Sequence, residues 1–173
     1  MSHRHLFLLR HAKSSWDSDV PSDFERPLAQ RGLKDAFRIA AWMGSRGIVP
    51  DHIVSSPAVR AIQTVQQICV RLALPEELVR RDEHLYLASL ATLLQVLAGV
   101  PATAGFPLLV AHNPGLDELL LYLCGEGLPY TGSGKLMTTA ALVRIELPDE
   151  WSRLPARCGK VIDFIRAKEL EQP

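Results

Sequence analysis

The sequence has little of what would tie a protein to a disulfide scaffold, a membrane or a nucleic acid. Its 173 residues include three cysteines, Cys69, Cys124 and Cys158, odd in number, far apart and outside Cys-x-x-Cys spacing. That pattern argues against a disulfide framework and a cysteine zinc site, and predicts buried or idle thiols. Long apolar runs are missing too: Leu119 to Cys124 is about a third of the roughly 20 residues a spanning helix needs. Near the start only Leu6-Phe7-Leu8-Leu9 stands between the basic first residues and Arg10, shorter than a signal-peptide core, so a cytoplasmic chain is expected. Charge of one sign is also absent, with 19 Lys and Arg against 19 Asp and Glu. A balanced chain offers no basic surface for nucleic acid or an anionic membrane, so any anion chemistry has to be local. No repeat or low-complexity tract breaks the sequence, which reads as one continuous domain over residues 1–173.

What is present is an alternation of short apolar runs and helical stripes. His5 to His11 and His52 to Ser55 read as strands, and Pro107 to Ala111 as a buried one. Thr139 to Leu147 reads as a last main strand, with a further one around Val161 to Ile165 and a weaker extended segment over Val79 to Leu85. Helical spacing places Leu33, Phe37, Ala40, Ala41 and Gly44 on one stripe between Ala29 and Arg46, with Gly47 as the stop. Ser56-Pro57 reads as a cap and first helical residue before Val59, Ile62, Val65, Cys69 and Leu72. Ser89 opens a helix to Val100, and Asn113-Pro114 opens one through Leu116, Leu119, Leu120 and Leu123. Between the first strand and the first helix, Lys13 to Pro27 is a polar loop of 15 residues, a length that is uncommon in compact domains and often functional. The alternation predicts an α/β fold, a layered and mostly parallel sheet with helices on both faces.

Such sheets bind ligands beyond the carboxyl ends of their strands. Arg10 and His11 close the first strand, His112 closes the strand at Ala111, and Arg60 lies in the first turn after Ser55. All four therefore face one rim, together with helix N-termini. Guanidinium forks and exposed helix N–H groups favour a phosphoryl group. A neutral imidazole with a fixed tautomer can attack phosphorus to form a covalent phosphohistidine, while a second balances charge on the transferring oxygens. The arginines supply the positive charge, and the spacing lacks the His, Asp and Glu clusters of a two-metal phosphatase, so no metal or other cofactor is expected.

Three segments carry a family resemblance: Leu9-Arg10-His11-Ala12-Lys13, Val54-Ser55-Ser56-Pro57 leading to Arg60-Ala61-Ile62-Gln63-Thr64, and Val110-Ala111-His112-Asn113-Pro114. Together with Arg26-Pro27-Leu28 and Thr138-Thr139-Ala140, they make the chain resemble the histidine phosphatase superfamily from about residue 5 to 147. Within that superfamily it is most similar to the small bacterial SixA-type phosphohistidine phosphatases. The sequence departs from the usual pattern at Ala12, where Gly is common, and at Lys13, where many members have Glu or Gln. The resemblance implies a three-layer α/β/α sandwich of the phosphoglycerate mutase-like kind. It also implies that His11 is the phosphorylated nucleophile, that Arg10 and Arg60 bind phosphate oxygens, and that His112 completes the pocket. Members that cleave esters place an acidic proton donor before the third helix, and Glu83 is the matching residue, with Asp82 in reserve. Lys13 and Arg26 on the long loop, and Asn113 in the third motif, are candidates for substrate binding.

The function these residues point to is a metal-independent phosphatase acting on phosphohistidine in a phosphotransfer protein. Mutases and sugar-phosphate enzymes with this core carry extra segments over the pocket, whereas this chain has only Lys13 to Pro27 for that purpose. An open rim suits a phosphate displayed on a bulky partner and retains a phosphoenzyme poorly against water. A phosphatase of small phosphate monoesters is the alternative within the enzyme class, and a non-catalytic phospho-binding module is the alternative outside it. The expected partner is thus a phosphorylated protein or small ester, and a compact domain of this size can stand as a monomer.

Overall fold

A computed structural model describes residues 3–170. Seven residues, Arg4–Arg10, form the central strand β1, most of which is buried. The other strands are β2 (His52–Ser55), β3 (Val79–Arg81), β4 (Pro107–Ala111), β5 (Leu142–Leu147) and β6 (Lys160–Ile165). They form one sheet in the order β3-β2-β4-β1-β5-β6. From β3 to β1 every neighbouring pair is parallel, and β5 runs antiparallel to both β1 and β6, so the sheet is mixed at one side only. Alternation along β1 divides the core. Phe7 and Leu9 join the apolar cluster under α1 (Gln30–Ser45) and α2 (Val59–Leu72). Leu6 and Leu8 join the cluster under α3 (Leu90–Ala98) and α4 (Gly115–Cys124). The result is the α/β/α sandwich expected from the alternation, with helices on both faces of a sheet whose inner strands β2, β4, β1 and β5 are largely buried while the edge strands β3 and β6 are more exposed.

Three local expectations change. The buried face of α1 is Gly32, Asp35, Ala36, Ile39, Ala40 and Met43, while Phe37 is exposed. The stripe read through Phe37 is therefore out of phase, because the small residues between the bulky ones let α1 lie close to α2 and the sheet. Ser56-Pro57 does not cap α2: the helix begins at Val59 behind Ala58, and no side chain caps it. The last main strand begins at Leu142 rather than Thr139, because Ala140 adopts φ +59 and turns its N–H onto the carbonyls of Arg10 and His11. Ser89 does cap α3, accepting from the Thr92 N–H at 3.3 Å. The segment over Val79 to Leu85 divides into β3 and a 3-10 turn, Glu83–Leu85.

Two glycines bring the elements around β1's carboxyl end together. A side chain at Gly32 would run into the Lys13 carbonyl, so glycine lets α1 press on the segment leaving β1. A side chain at Gly115 would run into the Ala88 carbonyl, so α4 begins against the turn that follows β3. Among the described residues no helix is long and apolar enough to cross a membrane. The three cysteines are free, and burial raises the pKa of each thiol.

Candidate active site

The parallel strands β1, β2 and β4 end side by side and deliver His11, Ser56 and His112 to one edge. The backbone joins these ends: the His11 N–H donates to the Ala111 carbonyl, and the Ser56 N–H to that of Val110. The rings of His11 and His112 lie 5.0 Å apart between centroids, and both side chains are buried.

The His11 ring is held through Nδ1, which lies 2.8 Å from the carbonyl oxygen of Ala12. A carbonyl oxygen only accepts, so the proton sits on Nδ1 and the lone pair on Nε2. Burial pushes the His11 pKa down to about 3, and the neighbouring His112, Arg60 and Arg10 push in the same direction, against the Ala12 hydrogen bond. His112 is pushed down to about 4, again mainly by burial and then by Arg60. Both imidazoles are neutral at physiological pH. Ala12 needs no glycine here. It is fully buried with its N–H on the Thr64 hydroxyl at 3.0 Å, and Thr64 in turn donates to the Arg60 carbonyl.

The Ser56 hydroxyl lies 2.7 Å from His112 Nε2 and accepts from the Ala58 N–H, which ties the histidine to the start of α2. His112 Nδ1 and Arg10 Nε are buried and have no hydrogen-bond partner among the described residues. Unpaired buried polar atoms are costly, and two in one site are what an oxygen-rich ligand would satisfy. Arg10 is anchored at its far end by the Met137 carbonyl, which also accepts from Asn113 Nδ2 at 3.0 Å.

Arg60 lies inside the site and is only 4% exposed. Its Nη1 donates to the Asp23 carbonyl at 2.7 Å and its Nη2 to Asp23 Oδ2 at 2.9 Å. Asp23 also accepts from the Tyr86 hydroxyl at 2.6 Å and from Arg26 at 2.8 Å. Hydrogen bonds from Tyr86 first, and then Arg60, hold the Asp23 carboxyl down to about 2 despite some burial. The Tyr86 ring packs edge-on against His112 at 5.5 Å and against Phe24 at 5.1 Å. Asp23, Tyr86 and Ser56 therefore belong to the site and were missed as site residues in the sequence. Asp23 sits 37 residues from Arg60 with no local pattern linking them. The Arg26-Pro27-Leu28 segment nearby was the one available signal.

The remaining candidates fall at varying distance from this group. Arg26 is spent inside the long loop: Nε donates to Ser15, Nη1 to Asp23 and Nη2 to the Ser14 hydroxyl, and its guanidinium stacks on Trp16 at 3.4 Å. Lys13 is half-buried, and its backbone carbonyl accepts from Ala29. Asn113 accepts from the Asp117 N–H and, through Met137, shares Arg10's anchor. Glu83 is exposed, and among the described residues its carboxylate has no ion-pair or hydrogen-bond partner. Asp82, its neighbour, is engaged with His84 at 2.9 Å.

A sheet of this topology, with two neutral histidines and two arginines at the carboxyl ends of its strands, is the arrangement of a phosphoryl-handling enzyme. The family description "Histidine phosphatase superfamily (branch 1)" matches residues 6–85, and over that stretch the chain is similar to that superfamily. The chain is 28% identical to the phosphohistidine phosphatase SixA of Escherichia coli over 152 residues, covering 83% of this chain and 86% of that protein. A SixA-type structure from Agrobacterium tumefaciens superimposes with a TM-score of 0.78 at 28% identity, covering 94% of this chain and 97% of that one. An uncharacterised protein of Mycobacterium leprae is 25% identical over 162 residues, which is 90% of this chain and 98% of that protein.

Proposed function

We propose that the protein removes phosphate from phosphohistidine in a phosphotransfer protein, through a covalent phosphohistidine on His11 and without a metal. The observation that carries this reading is the state of His11: buried, neutral, with its proton fixed on Nδ1 by the Ala12 carbonyl. Nε2 attacks phosphorus, the P–N bond of the substrate breaks, and the substrate imidazole leaves with a proton on the freed nitrogen. Water then attacks the phosphoryl group on His11, releasing inorganic phosphate and the neutral imidazole. Arg10 and Arg60 bind the phosphoryl oxygens and stabilise their charge as it redistributes, and His112 completes the pocket. An imidazole is a better leaving group than an alkoxide, so the reaction tolerates a proton donor as exposed as Glu83.

Two features favour a macromolecular substrate over a small ester. The connections after β2 and β4 are short, with α2 starting at Val59 after β2 ends at Ser55 and α4 at Gly115 after β4 ends at Ala111, so Lys13 to Pro27 and residues 125–141 are the longer segments beside the site. The similarity to the Escherichia coli phosphohistidine phosphatase points the same way. Hydrolysis of small monoesters is the second reading, favoured by a site deep enough to bury both histidines. The test is His11→Ala assayed with EDTA on p-nitrophenyl phosphate and on a phosphohistidine protein. Activity is expected to vanish on both, and survival on either overturns the covalent mechanism. For the unsubstituted protein, a higher kcat/KM on small monoesters than on phosphohistidine proteins overturns the substrate assignment.

A further inference from the structure

Beside the phosphate pocket lies a cleft of about 430 Å³ that shares Arg10 with it. One wall is formed by Asp117 and Leu121, four residues apart on the same side of α4, with Asn113 just before the helix begins. The other wall is the connection between α4 and β5, with Tyr130, Lys135 and Met137. At 1.5 Å per residue Asp117 and Leu121 extend the first wall about 6 Å along α4, the span of about two residues of extended peptide.

The cleft is preformed. The Thr131 N–H donates to the Lys135 carbonyl and the Gly134 N–H to that of Thr131, while Lys135's own N–H meets the Thr131 hydroxyl. Arg166, buried beneath, donates to the carbonyls of Leu136 and Pro129, and Asp117 accepts from the Met137 N–H at 3.0 Å. A wall held this way loses little freedom when something binds to it. Its lining is also unusual. Four leucines of α4 are buried, yet Leu121 is 38% exposed and Tyr130 51% exposed, both beside the cleft. Lys135 is exposed, and its amino group has no ion-pair partner among the described residues.

We infer that this cleft is the docking groove for the substrate protein, taking the peptide segment next to the phosphorylated histidine, with an apolar side chain against Leu121 and Tyr130 and an acidic one at Lys135. The inference rests on the proposed function and adds to it what holds the substrate beyond its phosphate. Arg10 makes the groove continuous with the site, so a segment lying in it presents its phosphoryl group to His11. The unpaired lysine selects an acidic segment.

The experiment compares Tyr130→Ala and Lys135→Glu with the unsubstituted protein on a phosphohistidine protein and on p-nitrophenyl phosphate. Neither residue touches the phosphate pocket, and both are exposed, so the fold tolerates the changes. The expected result is a fall of roughly tenfold in kcat/KM on the protein substrate, mostly through KM, with values on the small ester unchanged. If the unsubstituted protein turns over the phosphohistidine protein and both variants match it, the groove is overturned while the proposed function stands. If the unsubstituted protein hydrolyses only the small ester, the proposed function fails and the groove, as its docking surface, falls with it.

Discussion

Asp23 decides how Arg60 stands. A buried arginine can serve a phosphoryl group only if its fork is aimed, and aiming it takes partners that use some of its donors and leave others free. Asp23 uses one hydrogen on each terminal nitrogen, through its backbone carbonyl and its carboxylate, and is itself fixed by Tyr86 and Arg26. With its carboxyl held down to about 2, Asp23 is anionic throughout the physiological range and acts as a counter-ion rather than a proton donor. The site's positive charge is thus partly balanced within the site, not only elsewhere on a chain of zero net charge. Replacing Asp23 with Ala should leave Arg60 without a fixed direction and lower kcat/KM on p-nitrophenyl phosphate by about tenfold to a hundredfold, the cost of misplacing a group that holds the reacting centre. Tyr86→Phe should cost less, since the ring would stay against His112 and only one hydrogen bond would be lost. Equal losses for the two variants would place the importance in the Tyr86 hydroxyl instead.

At the scale of elements, the edge of the sheet is assembled by close approach. α1 meets the segment after β1 at Gly32, and α4 meets the turn carrying Tyr86 through Gly115. Gly32→Ala should destabilise the fold by about 1–3 kcal/mol, the usual cost of forcing extra atoms into packed space, read as a lower denaturant midpoint at constant slope. The same loss from a substitution at exposed Gly132, where an added methyl meets nothing, would refute the packing explanation. Much of this architecture is legible in the sequence, because strands β1, β2 and β4 are short apolar runs and α2 and α4 carry regular stripes. What escaped is what depends on distant contacts. Phe37 reads as core but is exposed, since the neighbours of α1 select its small residues. Ser56 reads as a helix cap, yet its hydroxyl is drawn to His112, 56 residues away. Arg10, His11, Arg60 and His112 come together because each lies at or shortly after a strand end, where topology alone sets the neighbourhood. Asp23 lies in mid-loop, where it does not.

For the whole molecule, burying two histidines in the neutral state links stability to pH. In the unfolded chain each takes up a proton near 6.5, whereas in the folded protein His11 resists until about 3 and His112 until about 4. Between those values the unfolded state binds more protons, so stability is complete above pH 6.5 and declines as pH falls through that window. Asp23 acts with the same sign but lower: its folded pKa of about 2 lies under the ordinary 3.8, so its contribution is lost only in stronger acid. The melting temperature should therefore begin to fall just below pH 6.5, before Asp23 is protonated. His11→Gln removes one of the most strongly shifted histidines and should reduce that decline between pH 6 and 4, whatever it does to stability at pH 8. An unchanged slope in His11→Gln would mean that His11 is protonated in the folded protein in that range. The neutral imidazole that the proposed attack on phosphorus needs would then be absent from weakly acidic solution, and the hydrolysis of p-nitrophenyl phosphate would fall over the same interval.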